Sequence, residues 1–152
     1  MSTEPRAIAA RDIDAIAALQ AEYLDPAWTS EAIDTLLKGA WGLGLASGDP
    51  PRGFCLARCV GDEAELLSIV VAAPFRRFGL AKRLIMALAN ELGKRNIRRL
   101  FLEVAEDNSS AIAFYNSLGF RVDGHRPRYY PRPSGRVAAL LLSAKPLDLQ
   151  HA

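Results

Sequence analysis

The sequence predicts an α/β fold in which one central sheet carries helices on its faces. Three observations point there. Apolar runs of strand length alternate with segments of helical period through most of the chain. No internal repeat or Gly/Ser-rich linker divides it. Its 152 residues, half of them apolar and 24% charged, suit one compact domain with a substantial core, spanning residues 1–152.

In chain order, a short strand is expected near Arg6 to Ala9. Asp12 is then placed to cap a helix reaching about Leu24, with Ile13, Ile16, Ala17 and Leu19 to Ala21 favouring one side. Pro26 interrupts that pattern, and Thr29 or Ser30 can start a second short helix to Leu37. "SGDPPRG", 47–53, is a turn by composition. "FCLARCV", 54–60, and "AELLSIVV", 64–71, are neighbouring strands across a Gly61-Asp62 turn. From Phe78 or Gly79 the period becomes helical through Leu80, Leu84, Ala87, Leu88 and Leu92, with Gly93 as terminator. "RRLFLEVA", 98–105, returns to strand. "EDNSSAIAFYNSLG" then offers a capping cluster, a helix and a terminal Gly119. Strands near Phe120 to His125 and Arg136 to Ala144 close the domain, with "RPRYYPRPSG" as a loop between them.

The bulk chemistry excludes more than it assigns. A net charge of +2 does not imply a nucleic-acid partner. No basic-then-apolar leader and no apolar run of about 20 residues is present, so neither membrane insertion nor export is expected and the cytoplasm is the expected location. Cys55 and Cys59, four apart on one strand, would sit about 13 Å from each other, too far for a disulfide, and are expected as packed thiols. His125 and His151 form no metal-binding motif, and no metal is expected.

The charge that matters is local. In "PFRRFGLAKR", 74–83, Arg76, Arg77, Lys82 and Arg83 crowd around Gly79 where a strand gives way to a helix. A helix start leaves about four N–H groups without intrahelical acceptors. With nearby cations those donors make an anion site that suits a pyrophosphate better than a single carboxylate. The run is neither a P-loop nor a GxGxxG fingerprint. A solvated basic helix start is the plain alternative.

"RRFGLA", 76–81, resembles the (Arg/Gln)-x-x-Gly-x-(Gly/Ala) acetyl-CoA motif of the GNAT N-acetyltransferases. "EVAEDNSSAIAFYNSLGF", 103–120, resembles the strand and helix that follow it there. "GFCLAR" and "RYYPRPSG" extend a weaker likeness over nearly the whole chain. The resemblance implies the GNAT acyl-CoA N-acyltransferase fold, with a mixed central sheet and helices on both faces. It also implies an acetyl-CoA cosubstrate held by main-chain groups of Ile69, Val70 and Val71 and by the loop Arg76, Arg77, Phe78, Gly79, Leu80, Ala81 and Lys82. By the same likeness Asn108 meets the cosubstrate, Tyr115 sits by its sulfur and Glu103 is the base. Phe78 departs from the polar residue frequent at its position, which a mainly main-chain phosphate site tolerates. Tyr129 and Tyr130 are implied at the acceptor peptide, with Trp28, Glu31 and Glu65 as weaker candidates for the acceptor side. The resemblance is strongest to the bacterial branch that acetylates the N-terminal alanine of a small-subunit ribosomal protein. That makes a ribosomal or other cytoplasmic protein N-terminus the expected partner.

The residues allow that chemistry on their own terms. A free α-amine titrates near ~8 and a lysine near ~10.4, so an α-amine is easier to deprotonate at neutral pH by about 3.5 kcal/mol. Strand alternation sets Phe101, Glu103 and Ala105 on one face and Leu100, Leu102 and Val104 on the other, which leaves a lone carboxylate among apolar neighbours. Glu103 is thus a candidate base, direct or through water. Tyr115, nearly two turns after Asn108, is a candidate proton donor to a leaving thiolate. A packed aromatic, a capping asparagine and a solvated glutamate are the plain alternatives. A lysine or small-amine acetyltransferase, or a non-catalytic acetyl-CoA-binding or peptide-binding module, remains the rival function.

Overall fold

The structure, a computed structural model, describes residues 3–24 and 27–149. Pro26 and His151 lie outside the described residues. A seven-stranded sheet runs in the order β1-β2-β3-β4-β5-β7-β6. Its strands are β1 (Arg6–Ala7), β2 (Gly42–Ser47), β3 (Gly53–Val60), β4 (Glu63–Val71), β5 (Arg99–Ala105), β6 (Arg121–Arg132) and β7 (Gly135–Ala144). The helices are α1 (Ile13–Tyr23), α2 (Ser30–Lys38), α3 (Leu80–Lys94), α4 (Ser109–Leu118) and the short α5 (Pro146–Leu149). Among the described strands only β4 and β5 are parallel, joined through α3, so the sheet is mixed as expected. Helices lie on both faces. Helices α1 and α2 bury Ile13, Ile16 and Ile33 against Phe54, Leu56 and Val70. On the other face α3 and α4 bury Leu84, Leu88, Leu92, Tyr115 and Leu118 against Cys55, Ala57, Leu100 and Leu102.

Several sequence expectations are corrected. Strand β2 is not evident from the sequence, because its glycines hide it. A side chain at Gly42 would lie 1.9 Å from the Leu36 carbonyl oxygen, and one at Gly44 would lie 2.6 Å from Ile8 Cδ1, so α2 and the residues after β1 pack directly on bare backbone. The expected loop at 126–135 is mostly strand, and β6 with β7 forms one long hairpin with register shifts at Val122/Gly124 and Arg126/Tyr130. Gly93 does not end α3. The helix runs to Lys94, and Asn96 takes the left-handed turn at φ 60°, with Ile97 N–H donating back to the Leu92 carbonyl at 3.0 Å.

Asp12 does not cap α1 either. Its carboxylate accepts both terminal nitrogens of Arg6, at 2.7 and 3.0 Å, and the Ala9 N–H at 2.8 Å. The pair fixes the first strand to the start of α1, and Thr29 and Asn108 are the working caps, accepting from Ala32 and Ala111. Cys55 and Cys59 are free buried thiols, and burial pushes Cys55 up to about 12.

Asp12 generates a stability prediction. The Arg6 hydrogen bond holds its carboxyl below the usual range, with its side chain 1% exposed. The stabilisation is therefore complete above the unfolded value near ~4 and is lost as pH falls through the lower folded value. Asp12→Asn is expected to cost about 2 kcal/mol at pH 7. In denaturant titrations the gap to the parent chain is expected to close below about pH 4.

Candidate active site

The site begins where a ladder stops. Strands β4 and β5 pair only at Glu63–Arg99, Ala64–Leu100 and Glu65–Phe101. Beyond that point β4 runs on to Val71 and β5 to Ala105 without each other, so their facing edges open into a split in the sheet. Across β3, Leu66 opposes Ala57 while Ser68 opposes Leu56, which makes Leu67 an extra residue that bends β4 at the mouth of the split. Ile69, Val70 and Val71 follow immediately, with Ile69 and Val71 packed toward α3 and Val70 toward α1 and α2. The Val71 carbonyl already accepts Arg76 Nε at 2.9 Å.

The basic loop continues from this edge. Gly79, with φ 78°, is the residue before α3, and no side-chain cap covers the helix start. Among the described residues, the N–H groups of 77–82 have no acceptor, and Arg76, Arg77, Lys82 and Arg83 form no ion pair. Arg77 and Lys82 are exposed. Arg76 lies 4.7 Å over the Tyr23 ring, and Arg83 Nη2 donates to the Phe78 carbonyl at 3.0 Å. Those two cations shape the loop, and Arg77 and Lys82 stay available. Leu80 is buried, Ala81 is half-buried, and Phe78 is 69% exposed at the rim. Free donors at a helix start beside uncommitted cations fit a pyrophosphate-bearing ligand such as coenzyme A.

The two candidate catalytic groups flank the split from opposite faces. Glu103 alternates with Leu102 and Val104, which pack toward α3, so its carboxylate belongs to the α1–α2 face. Its side chain is 21% exposed and lies 3.1 Å from Arg126 Nη2. Glu65, paired opposite Phe101, is on the same face but is engaged by Arg58 at 3.1 Å. Tyr115 is on the α3–α4 face, 7% exposed, wedged between the rings of Phe114 and Phe120 at 5.3 and 5.4 Å. Burial raises it to about 12. Asn108 caps α4 through Oδ1, which leaves its amide N–H donors without an acceptor among the described residues. The capping and ligand-contacting roles are compatible in one side chain.

The β6–β7 hairpin closes the Glu103 side. Tyr129 and Tyr130 are on strand rather than loop, 5.1 Å apart and nearly perpendicular. Burial first, and then Glu103, raises Tyr130. Arg132 grips Asp107 through Nε at 2.8 Å and Nη2 at 3.0 Å, tying the hairpin to the turn before α4. Arg126 and Asp107 had no local sequence signal, because their partners are distant in the chain. Trp28 is half-buried against the Phe54–Val70 cluster beneath α1 and α2, and Glu31 is exposed. No group of metal-ligating side chains occurs among the described residues.

The acetyltransferase (GNAT) family model matches residues 13–120. A [ribosomal protein bS18]-alanine N-acetyltransferase of Escherichia coli K12 is 41% identical over 90 residues, which are 59% of this chain and 61% of that protein. Its counterpart in Salmonella typhimurium is 39% identical over 101 residues, 66% and 68% of the two chains. The alignment thus spans less than two thirds of the E. coli relative's length. In three dimensions, the ribosomal-protein-S18-alanine N-acetyltransferase of Escherichia coli superposes with a TM-score of 0.85. That superposition has 30% identity and covers 95% of this chain and 94% of that one. Arabidopsis thaliana NAA60 shares the fold at 18% identity, with a TM-score of 0.83.

Gly79 and Gly61 make a matched test of the loop. Both have positive φ, 78° and 62°, and neither has an atom within 4 Å of an added Cβ. Each Gly→Ala change is expected to cost about 1 kcal/mol in denaturant stability through backbone strain alone. Only Gly79→Ala is expected to weaken coenzyme A binding by calorimetry.

Proposed function

From the premise that this chain belongs to the acetyltransferase (GNAT) family, we propose that it transfers acetyl from acetyl-CoA to a protein N-terminal α-amine. The acceptor we assign is the N-terminal alanine of a small-subunit ribosomal protein. The observation that most supports this is the sheet split, with free main-chain donors and cations at its β4 end and Glu103 and Tyr115 on its two faces. The names of the E. coli and Salmonella relatives point to the same acceptor. A ribosomal-protein acceptor places the reaction in the cytoplasm.

Acetyl-CoA, when bound, supplies the acetyl group as an activated thioester. Ile69 to Val71 would present main-chain groups to its amide arm, residues 77–82 would hold the pyrophosphate, and Asn108 would offer its free amide donors. On the opposite face, Glu103 accepts a proton from the acceptor ammonium, directly or through water. The carboxylate lies 3.1 Å from Arg126 Nη2 on the face that also carries Tyr129 and Tyr130. Tyr115 Oη keeps its proton through the neutral range, because burial raises its value to about 12, and would give that proton to a leaving thiolate. Attack from one face and departure toward the other needs no covalent enzyme intermediate.

Mass-resolved acetyl transfer to matched peptides tests the assignment. Product on a free N-terminal alanine, and none when that amine is blocked, is expected. Product on an internal lysine would move the assignment to lysine acetylation, and coenzyme A binding without any product would indicate a small-amine enzyme or a binding module. Tyr115→Phe is expected to lower kcat about a hundredfold with the acetyl-CoA KM little changed. A parental rate in this variant removes Tyr115 as the acid. Glu103→Gln is expected to lower kcat/KM by about a hundredfold. A parental kcat/KM removes the base.

A further inference from the structure

Gln20, on the last turns of α1, is a polar side chain with no exposed surface in an otherwise apolar layer. Both ends of its amide are used. Nε2 donates to Ser68 Oγ at 2.9 Å, and Oε1 accepts the Trp28 main-chain N–H at 2.9 Å. Ser68 is the residue between the extra Leu67 and the Ile69–Val71 edge. Trp28 stands just before α2, packed on the cluster that contains Val70. One turn further along α1, the Tyr23 hydroxyl accepts the Ala73 N–H at 2.9 Å, and its ring lies under Arg76. The end of α1 therefore grips β4 and the following loop on both sides of Ile69–Val71.

Burying an uncharged amide is costly unless every group on it is matched, and Gln20 meets that condition by spanning two segments. An apolar residue at this position could fill the space, but it could not set the register of residue 28 against residue 68. We propose that Gln20 is a positioning residue for the acceptor side. It locks the segment carrying Trp28 against the bend of β4, and so sets the width of the acceptor opening beside the cosubstrate edge. The kinetic consequence rests on the function proposed above, whereas the structural consequence does not.

The test separates the two. In a Trp41→Phe background Trp28 is the sole tryptophan, and Trp41 is an exposed residue. There Gln20→Met is expected to raise acrylamide quenching of Trp28 about twofold at a temperature where the chain is folded, because the Trp28 N–H loses its acceptor. Ser68→Ala, which leaves the Trp28 bond and unties only the β4 end, is expected to shift quenching in the same direction. It also keeps the test available if Gln20→Met does not fold. Unchanged quenching in the folded variants overturns the proposal. In kinetics, Gln20→Met is expected to raise the acceptor-peptide KM about tenfold while the acetyl-CoA KM stays within about twofold. Equal rises in both KM values, or a loss explained by the folded fraction alone, also overturn it. If the parent chain acetylates no peptide, the proposed function fails while the quenching result still decides the role of Gln20.

Discussion

Everything at this site follows from the short β4–β5 ladder. Two parallel strands that pair for three residues and then part leave two rows of main-chain donors and acceptors facing one gap. In a continuous sheet those groups would satisfy each other, and the centre of the domain would be sealed. The bend at Leu67 turns β4 away, and β5 keeps its full pairing with β7 from Leu100 to Ala105, so the opening is confined to one side of β5. The same departure carries the chain into the basic loop and α3, which sets an anion-binding helix start at one end of an edge suited to amide groups. An extended ligand with amides and a pyrophosphate matches that sequence of environments.

The split also divides the chemistry between two media. The Tyr115 face is a packed aromatic core, where the neutral phenol is favoured and a proton is retained. The Glu103 face is more open, with the carboxylate beside Arg126, Tyr129 and Tyr130. A proton acceptor in the more polar half and a proton donor in the drier half is the assignment that their environments favour. An α-amine acceptor suits this base, since an α-amine needs about 3.5 kcal/mol less deprotonation than a lysine at the same pH.

The sequence carried the local parts of this arrangement. The basic run at 76–83, the caps at Thr29 and Asn108, the left-handed Gly79 and Gly119 and the alternation around Glu103 all express rules that act within a few residues. Strand β2 escaped because glycine erases side-chain periodicity, and the cause, close packing of α2, lies in another element. The 126–132 end of β6 reads as a loop because its prolines and arginines have turn composition. Its extension depends on pairing with β7 and on the Arg132–Asp107 clamp, contacts that no local window contains. Gln20 was invisible for the same reason. A glutamine in a helix looks like a surface residue until the strand it reaches is known.

Distance in the chain also separates two ion pairs of unequal purpose. Arg132 holds Asp107 with two nitrogens in a fork that resists rotation, which suits a fixed anchor for the hairpin. Arg126 meets Glu103 at 3.1 Å, with the arginine 55% exposed, and a pair this open contributes up to about 1 kcal/mol. In the proposed reaction an incoming ammonium would displace it without a large penalty, and the carboxylate would exchange one cation for another instead of being stripped bare. The arginine has only to swing toward solvent or toward the Tyr129 ring, 5.5 Å away.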